Sequence, residues 1–279
     1  MILDNVNAIG TLLSKYLLTE VIVVFTTMAG GTGSGAIKTF IQIAKKVLPK
    51  AKINVVAILP SLKEDELSFK NTLECWNDIN SIMDLINDVK FVDNNKRNTY
   101  REINNEVIES LDLAYNITGI HSEGSIDNRD SLRINTAEGS GLVLKLYDGL
   151  MDAKTAVDLA IKNSVFVQPD TYDCDYLGIN LKIDGYDPYE VSKLFEVYRS
   201  TYITYNNKNN IVVLGGCETP TEAIKLIKMA LDDKKKRKLS RNKRRSFIID
   251  LNSDSKDKKE EIDLSNSEFD DLLEDNFVV

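Results

Sequence analysis

Apolar residues return along this chain in two rhythms, one near three and a half residues and one that runs unbroken for five to seven. Residues 1–18 set Ile2, Val6, Ile9, Leu13, Tyr16 and Leu17 on a single helical stripe. VIVVF at 21–25 then predicts a strand buried on both faces. Thr26–Gly35 is a glycine-rich loop, and Ala36–Leu48 predicts a helix with Pro49 just past its end. INVVAIL at 53–59 is the next buried strand, stopped by Pro60. Strand, loop, helix, strand makes one right-handed crossover, so the expected class is α/β with layered helices. Leu62–Asn87 reads as largely helical and Val89–Val92 as a short strand.

The second half alternates in the same way. Tyr100, Ile103, Val107, Leu111 and Ala114 recur at three and four residues, which predicts one long amphipathic helix over Thr99–Ile117, roughly 28 Å by its rise per residue. A polar loop, Gly119–Asp130, follows. Helices are expected at Asp152–Lys162, Pro188–Ser200 and Thr221–Asp232, with strands at Tyr176–Ile183 and Ile211–Gly215, giving a second, smaller α/β unit. No repeat of 20–50 residues is visible. After Asp232 the pattern stops: Lys234–Arg245 holds nine basic residues in twelve, and residues 252–279 are polar and acidic. Charge blocks of this kind cannot build a core, so 233–279 is expected to be a disordered tail, basic then acidic.

Composition narrows the chemistry. The 279 residues, 43% of them hydrophobic, are enough for a sizeable core, and the net charge of -8 argues against an overall basic coat for nucleic acid. Three scattered cysteines, Cys75, Cys174 and Cys217, form no CxxC pair and fit a reducing compartment. One histidine, His121, excludes a two-histidine metal site, and no protein-borne metal site is expected. There is no membrane-length apolar run and no secretory signal pattern. A cytoplasmic protein is the expectation.

The segment richest in chemistry is Met28-Ala-Gly-Gly-Thr-Gly-Ser-Gly35. Between a buried strand and a helix, its backbone N–H groups and the helix N-terminus make a cradle for phosphate. It lacks the GK[ST] of a P-loop, and its spacing is not GxGxxG. The plain alternative is a flexible turn. Gly33→Val is expected to set two methyl groups where phosphate oxygens approach.

AGGTGSG resembles the phosphate loop of the tubulin/FtsZ superfamily of GTPases. TMAGGTGSG, CWNDI at 75–79 and DNNKR at 93–97 are most similar to its plasmid- and phage-encoded TubZ branch, in the right order from about residue 19 to 232. The resemblance implies a Rossmann-like GTP-binding domain whose remainder is 1–98, a core helix at 99–118, and a second domain at 119–232. The family's opening strand and first phosphate loops have no counterpart before the main glycine loop, so an N-terminally shortened domain is expected. The resemblance also implies that Ala29, Gly30, Gly31, Thr32, Gly33, Ser34, Gly35, Pro60, Glu64, Asn94, Tyr100 and Asn104 contact GTP. Tyr100 and Asn104, at i and i+4, share a face for purine stacking and edge recognition. Read without the family, Tyr100 is core packing. Asp127 and Asp130, in GSIDNRD, match a D-x-x-D catalytic loop that reaches the nucleotide of the neighbouring subunit beside Mg²⁺. By themselves they are a solvated acidic loop. Ser68 and Ser125 stand where the family has Arg and Asn.

The function so implied is GTP hydrolysis in head-to-tail filaments that partition plasmid or phage DNA in a bacterial cytoplasm, with a DNA-bound (TubR-like) adaptor met through 234–245. Two rivals stand beside it: a non-hydrolysing subunit that caps filaments, and a DNA- or adaptor-binding protein acting through its basic run.

Overall fold

The computed structural model describes residues 5–149, 152–206 and 208–245. Residues up to Arg237 form one compact unit, and Lys238–Val279 a second, of which only a helix end is described. The first unit is built on a seven-stranded sheet in the order β1-β2-β3-β6-β9-β7-β8. Strands β1 (Val21–Thr27), β2 (Lys52–Leu59), β3 (Asp88–Asp93) and β6 (Gly139–Lys145) run parallel. β9 (Ile211–Cys217) is antiparallel to both β6 and β7 (Cys174–Lys182), and β8 (Val197–Asn206) is parallel to β7. A two-stranded hairpin, β4 (Gly119–His121) and β5 (Gly124–Ile126), forms separately.

Helices α2 (Gly31–Val47) and α3 (Glu66–Asn80) cover one face of the first strands. Ile37, Ile41 and Ala44 of α2 and Phe69, Cys75 and Ile79 of α3 meet Ile53, Val55 and Ala57, the alternate residues of β2. Val56, between them, points into the other core, where Ile103, Val107, Leu111 and Ala114 of α4 (Tyr100–Tyr115) pack. Period two on a strand and three-to-four on a helix therefore divide the apolar residues between two cores. The strand-by-strand reading of 21–93 and the α/β class both hold. Residues 5–16 form α1 (Val6–Leu13) and a 3₁₀ turn (Ser14–Tyr16), and no residue of either is fully buried. Val6, Ile9 and Leu13 of the stripe read at 1–18 are half-buried, with Leu13 packed on the core under α2, while Tyr16 and Leu17 are exposed.

Four expectations change. The glycine loop is shorter than read, because β1 extends to Thr27 and α2 starts at Gly31, leaving only Met28–Gly30 as loop. The polar loop at 119–130 is the β4–β5 hairpin, followed by α5 (Asn128–Asn135). The helix read at 188–200 stops as α7 (Pro188–Ser192), and the chain turns into β8. Val197, Tyr198, Thr201, Tyr202 and Ile203 are β-branched and aromatic, and pairing with β7 captures them. Finally α8 (Thr221–Arg245) carries helix through residues 233–245, where a disordered tail was expected to begin. Ile227 and Leu231 anchor it on the first core. The remaining tail, 246–279, lies outside the described residues. Among the described helices, none, α6 (Ala153–Asn163) included, is long and apolar enough to cross a membrane.

Candidate functional site

The carboxyl ends of β1, β2 and β3 open on a cleft of ≈ 470 Å³, the position where open parallel sheets hold ligands. Thr27, Ala29 and Gly30 form one wall, Ile58 and Leu59 the floor, and Glu64, Ser68, Asn94, Tyr100 and Asn104 the rest. An adjoining cleft of ≈ 740 Å³ shares Glu64, Asn94 and Tyr100 and adds Lys63, Asn95, Arg97 and Thr99. Residues from four separate stretches of chain are thus gathered at one sheet edge.

α2 begins here at an uncapped end. Its N-cap is Gly30, in extended conformation, with no side-chain cap and no acidic residue in the first turn. By contrast α3, α4, α5, α6 and α7 each start beneath an Asp or Thr side chain. The first N–H groups of α2 are therefore left for a ligand, and a 17-residue helix points its positive end at the cleft. Ser34, buried, turns its hydroxyl back to Gly30 O. Gly31, Thr32 and Gly35 are exposed on the first turns of α2 rather than in the cleft wall. A Cβ on Gly33 would lie 3.2 Å from Thr26 Oγ1 and 3.4 Å from Thr27 O. Its missing side chain faces the strand, so the close packing of α2 on β1 depends on it, and the steric argument given above for Gly33→Val is corrected accordingly.

Tyr100 is 54% exposed and so is not a core residue. The capping box in which Glu102 N donates to Thr99 Oγ1 (3.2 Å) and Thr99 N to Glu102 Oε2 (3.0 Å) fixes the helix start that bears it. Its hydroxyl donates to Glu64 Oε1 at 3.5 Å, and that same oxygen accepts Ser61 N–H at 2.9 Å. Asn104, one turn on, is exposed to the same cleft. Pro60 is buried between the floor and Ser61 and does not line the cleft.

Two asparagines that sequence reasoning passed over hold the loops in place. Asn71 of α3 donates from Nδ2 to Ala29 O at 2.9 Å, tying down the glycine loop. Asn95 Oδ1 accepts from Ser61 Oγ (3.1 Å) and Leu62 N (3.0 Å), joining the loop after β2 to the loop after β3. Arg97 forks onto Glu106 at 2.9 and 2.8 Å and reaches Asn163 O at 2.7 Å. In sequence these are ordinary polar residues, Asn71 in a helix and Asn95 and Arg97 in a loop, and only the fold gives them partners.

Asp127 and Asp130 are not at this cleft. They lie beyond the far end of α4, a helix about 24 Å long. Asp127 is the N-cap of α5: its Oδ1 accepts the N–H groups of Arg129 (2.7 Å) and Asp130 (2.9 Å). Asp130 Oδ2 accepts Asp127 N–H at 3.3 Å, and Oδ1 sits 3.2 Å from Arg133 Nη1. The D-x-x-D spacing is thus a capping box. The Asp130 N–H, more than any other group, holds the Asp127 carboxyl below the usual carboxylate range.

A model of the tubulin/FtsZ family GTPase domain matches residues 1–99. The chain is 29% identical over 264 residues to a tubulin-like protein, TubZ, of a Clostridium botulinum C phage, across 93% of this chain and 73% of that protein. The crystal structure of Clostridium botulinum phage c-st TubZ superposes with a TM-score of 0.76 at 28% identity, covering 83% of this chain and 77% of that one. A helical model of a two-stranded TubZ-Bt filament shares the fold, with a TM-score of 0.67 at 13% identity over 89% of this chain and 74% of that one.

Proposed function

We propose, for a chain whose residues 1–99 match the tubulin/FtsZ family GTPase domain and which is similar to TubZ, that the cleft at the ends of β1–β3 binds guanine nucleotide and that the chain takes part in GTP hydrolysis within head-to-tail filaments. One observation carries this reading: Ala29, Gly30, Glu64, Asn94, Tyr100 and Asn104 converge on one cleft in front of an uncapped helix. The phosphates lie against the α2 N-terminus, the ribose near Glu64, and the base on the Tyr100 ring with its edge to Asn104. Gly31–Gly35 act through their backbone, and Pro60 by shaping the turn.

Among the described residues no group of three His, Cys, Asp or Glu side chains could hold a metal ion. A Mg²⁺ ion at this site would be carried by phosphate oxygens and water, as is usual for nucleotide sites. When bound it neutralises charge on the phosphates. Asp127 and Asp130, at the opposite end of α4, serve the nucleotide of the next subunit, and a heterologous contact of that kind extends without closing. The low pKa of Asp127 suits it to orienting water as a fixed anion more than to accepting a proton. Residues 1–98, 99–118 and 119–232 act as nucleotide domain, connecting helix and second domain. The basic run 234–245, displayed on α8, meets a DNA-bound adaptor, and the whole works in the cytoplasm of a bacterium carrying the plasmid or phage.

The test is fluorescent GTP binding together with light scattering and phosphate release. Asn104→Asp is expected to weaken GTP at least ten-fold while sparing xanthosine triphosphate. Equal affinity of wild type and variant for both nucleotides overturns the base assignment, and absence of GTP binding by wild type overturns the reading as a whole.

A further inference from the structure

The last carbonyls of any helix lack partners within it, and α4 ends without the left-handed glycine that usually supplies them. Its end is instead closed from outside by buried side chains. Asn135 Nδ2 donates to Ala114 O at 2.7 Å, Ser131 Oγ to Tyr115 O at 3.0 Å, and Asn180 Nδ2 to Ile117 O, just past the helix, at 3.0 Å. Asn180 belongs to β7, but Asn135 and Ser131 belong to α5, the helix whose first turn bears Asp127 and Asp130. Asn135 is itself held: its backbone carbonyl accepts Asn54 Nδ2 from β2 at 2.6 Å, and that same amide lies 2.6 Å from the Tyr115 hydroxyl. Asn135 and Asn54 are 0% and 1% exposed, so these bonds lie inside the fold and not on its surface.

We infer that Asn135, with Ser131, is a positioning device that locks the aspartate-bearing start of α5 to the end of α4. The inference rests on the functional reading above, in which the other end of α4 meets the base through Tyr100 and Asn104. A helix transmits displacement along its axis, and hydrogen bonds that close its terminus hand that displacement on to whatever donates them. The donors here are on α5. Asn135 touches no reacting atom, and its effect is on where the carboxylates stand. A one-ångström misplacement of such groups costs about a hundred-fold in rate.

Asn180 is the internal control. It closes the same end of the chain turn with the same amide, from a strand that bears neither aspartate. Full-length Asn135→Ala, Ser131→Ala and Asn180→Ala are compared by thermal unfolding, hydrogen–deuterium exchange of residues 124–131 and steady-state phosphate release. Asn135→Ala and Asn180→Ala are expected to lower the unfolding temperature comparably. Only Asn135→Ala, and more weakly Ser131→Ala, should speed exchange at 124–131 and lower kcat at least ten-fold with KM within two-fold. Unchanged exchange there in Asn135→Ala and Ser131→Ala, or equal kcat losses in Asn135→Ala and Asn180→Ala, overturns the proposal. If wild type releases no phosphate while exchange behaves as stated, the hydrolytic reading falls and the clamp stands; Ser131→Ala supplies the same comparison should Asn135→Ala fail to fold.

Discussion

Gly33 and Gly35 stand two residues apart in one glycine-rich motif, and the structure gives them different work. Neither has a positive φ, so conformational freedom is not what either supplies. A Cβ on Gly35 meets nothing within 4 Å, whereas one on Gly33 presses on Thr26 Oγ1 at 3.2 Å and reaches the Thr27 carbonyl at 3.4 Å, an ordinary contact distance. Thr26 is buried, so its hydroxyl has little room to move aside. Alanine in a helix gains up to about 1 kcal/mol over glycine, while overpacking costs roughly 1–3 kcal/mol. Gly35→Ala is therefore expected to raise the unfolding temperature and Gly33→Ala to lower it, as followed by circular dichroism. Equal stability of the two variants would remove the packing role of Gly33. The glycines themselves were legible in the sequence, but the direction each missing side chain faces was not, since it depends on the register of α2 against β1.

Helices and strands were legible where local pattern and tertiary context agree, as over VIVVF and INVVAIL. They were not where packing overrides pattern. β6, GSGLVLK, is one such case: a Cβ at Gly141 would run into Asp88 Oδ1 and Lys90 Nζ, a buried pair 2.5 Å apart, so a residue of poor strand propensity is required in the middle of the sheet. Burial raises the Asp88 pKa more than Lys90 lowers it. The helix starts show the converse. Asp65, Asp127, Asp152 and Asp170 each accept backbone N–H groups at the start of α3, α5, α6 and α8. All four carboxyls are held below the usual range, Asp65 and Asp127 chiefly by those N–H groups, Asp152 and Asp170 chiefly by the Thr155 and Thr221 hydroxyls with the N–H groups behind them. A depressed folded-state pKa stabilises above the unfolded value, near 4, and that contribution disappears as pH falls through the folded value. These caps should add no pH dependence between pH 7 and 5 and should release their stabilisation below about pH 4. Asp65→Ser and Asp152→Ser keep a capping oxygen without a titrating group. The double variant is expected to show a shallower fall of unfolding temperature below pH 4 than wild type. An identical acid limb would remove the caps from the account.

At the scale of the whole molecule, the sheet runs unbroken through both halves of the chain, which an element-by-element reading divides into two α/β units. The divided reading arises because β6 and β8, which join and finish the sheet, are the strands the sequence pattern hides. The same strand order leaves β1 outermost, hydrogen-bonded only to β2 among the described residues. VIVVFTT carries no charge and no proline, two of the devices by which edge strands avoid pairing with other chains. Leu12, Tyr16, Leu17 and Leu18, which lie before it in the chain, are also exposed, Leu18 at 96%. Ile22 and Val24 lean on one core and Val23 on the other, so these three cannot be changed without loosening the fold. Phe25 is different, at 49% exposed. A lysine there puts charge on the open edge while leaving both cores intact, the position natural edge strands give to such a residue. Phe25→Lys is expected to leave the unfolding temperature within about 2 °C of wild type, as for surface substitutions of under roughly 0.5 kcal/mol. Nucleotide-independent, concentration-dependent light scattering should fall several-fold. Association that depends on nucleotide should persist, because Phe25 does not line the cleft that opens at the end of its strand and α5 packs on β7 and β9, toward the other end of the sheet. If Phe25→Lys leaves nucleotide-free scattering at the wild-type level, β1 is not the adhesive surface; if it abolishes nucleotide-dependent assembly with the fold intact, the filament contact runs through this edge rather than along α4.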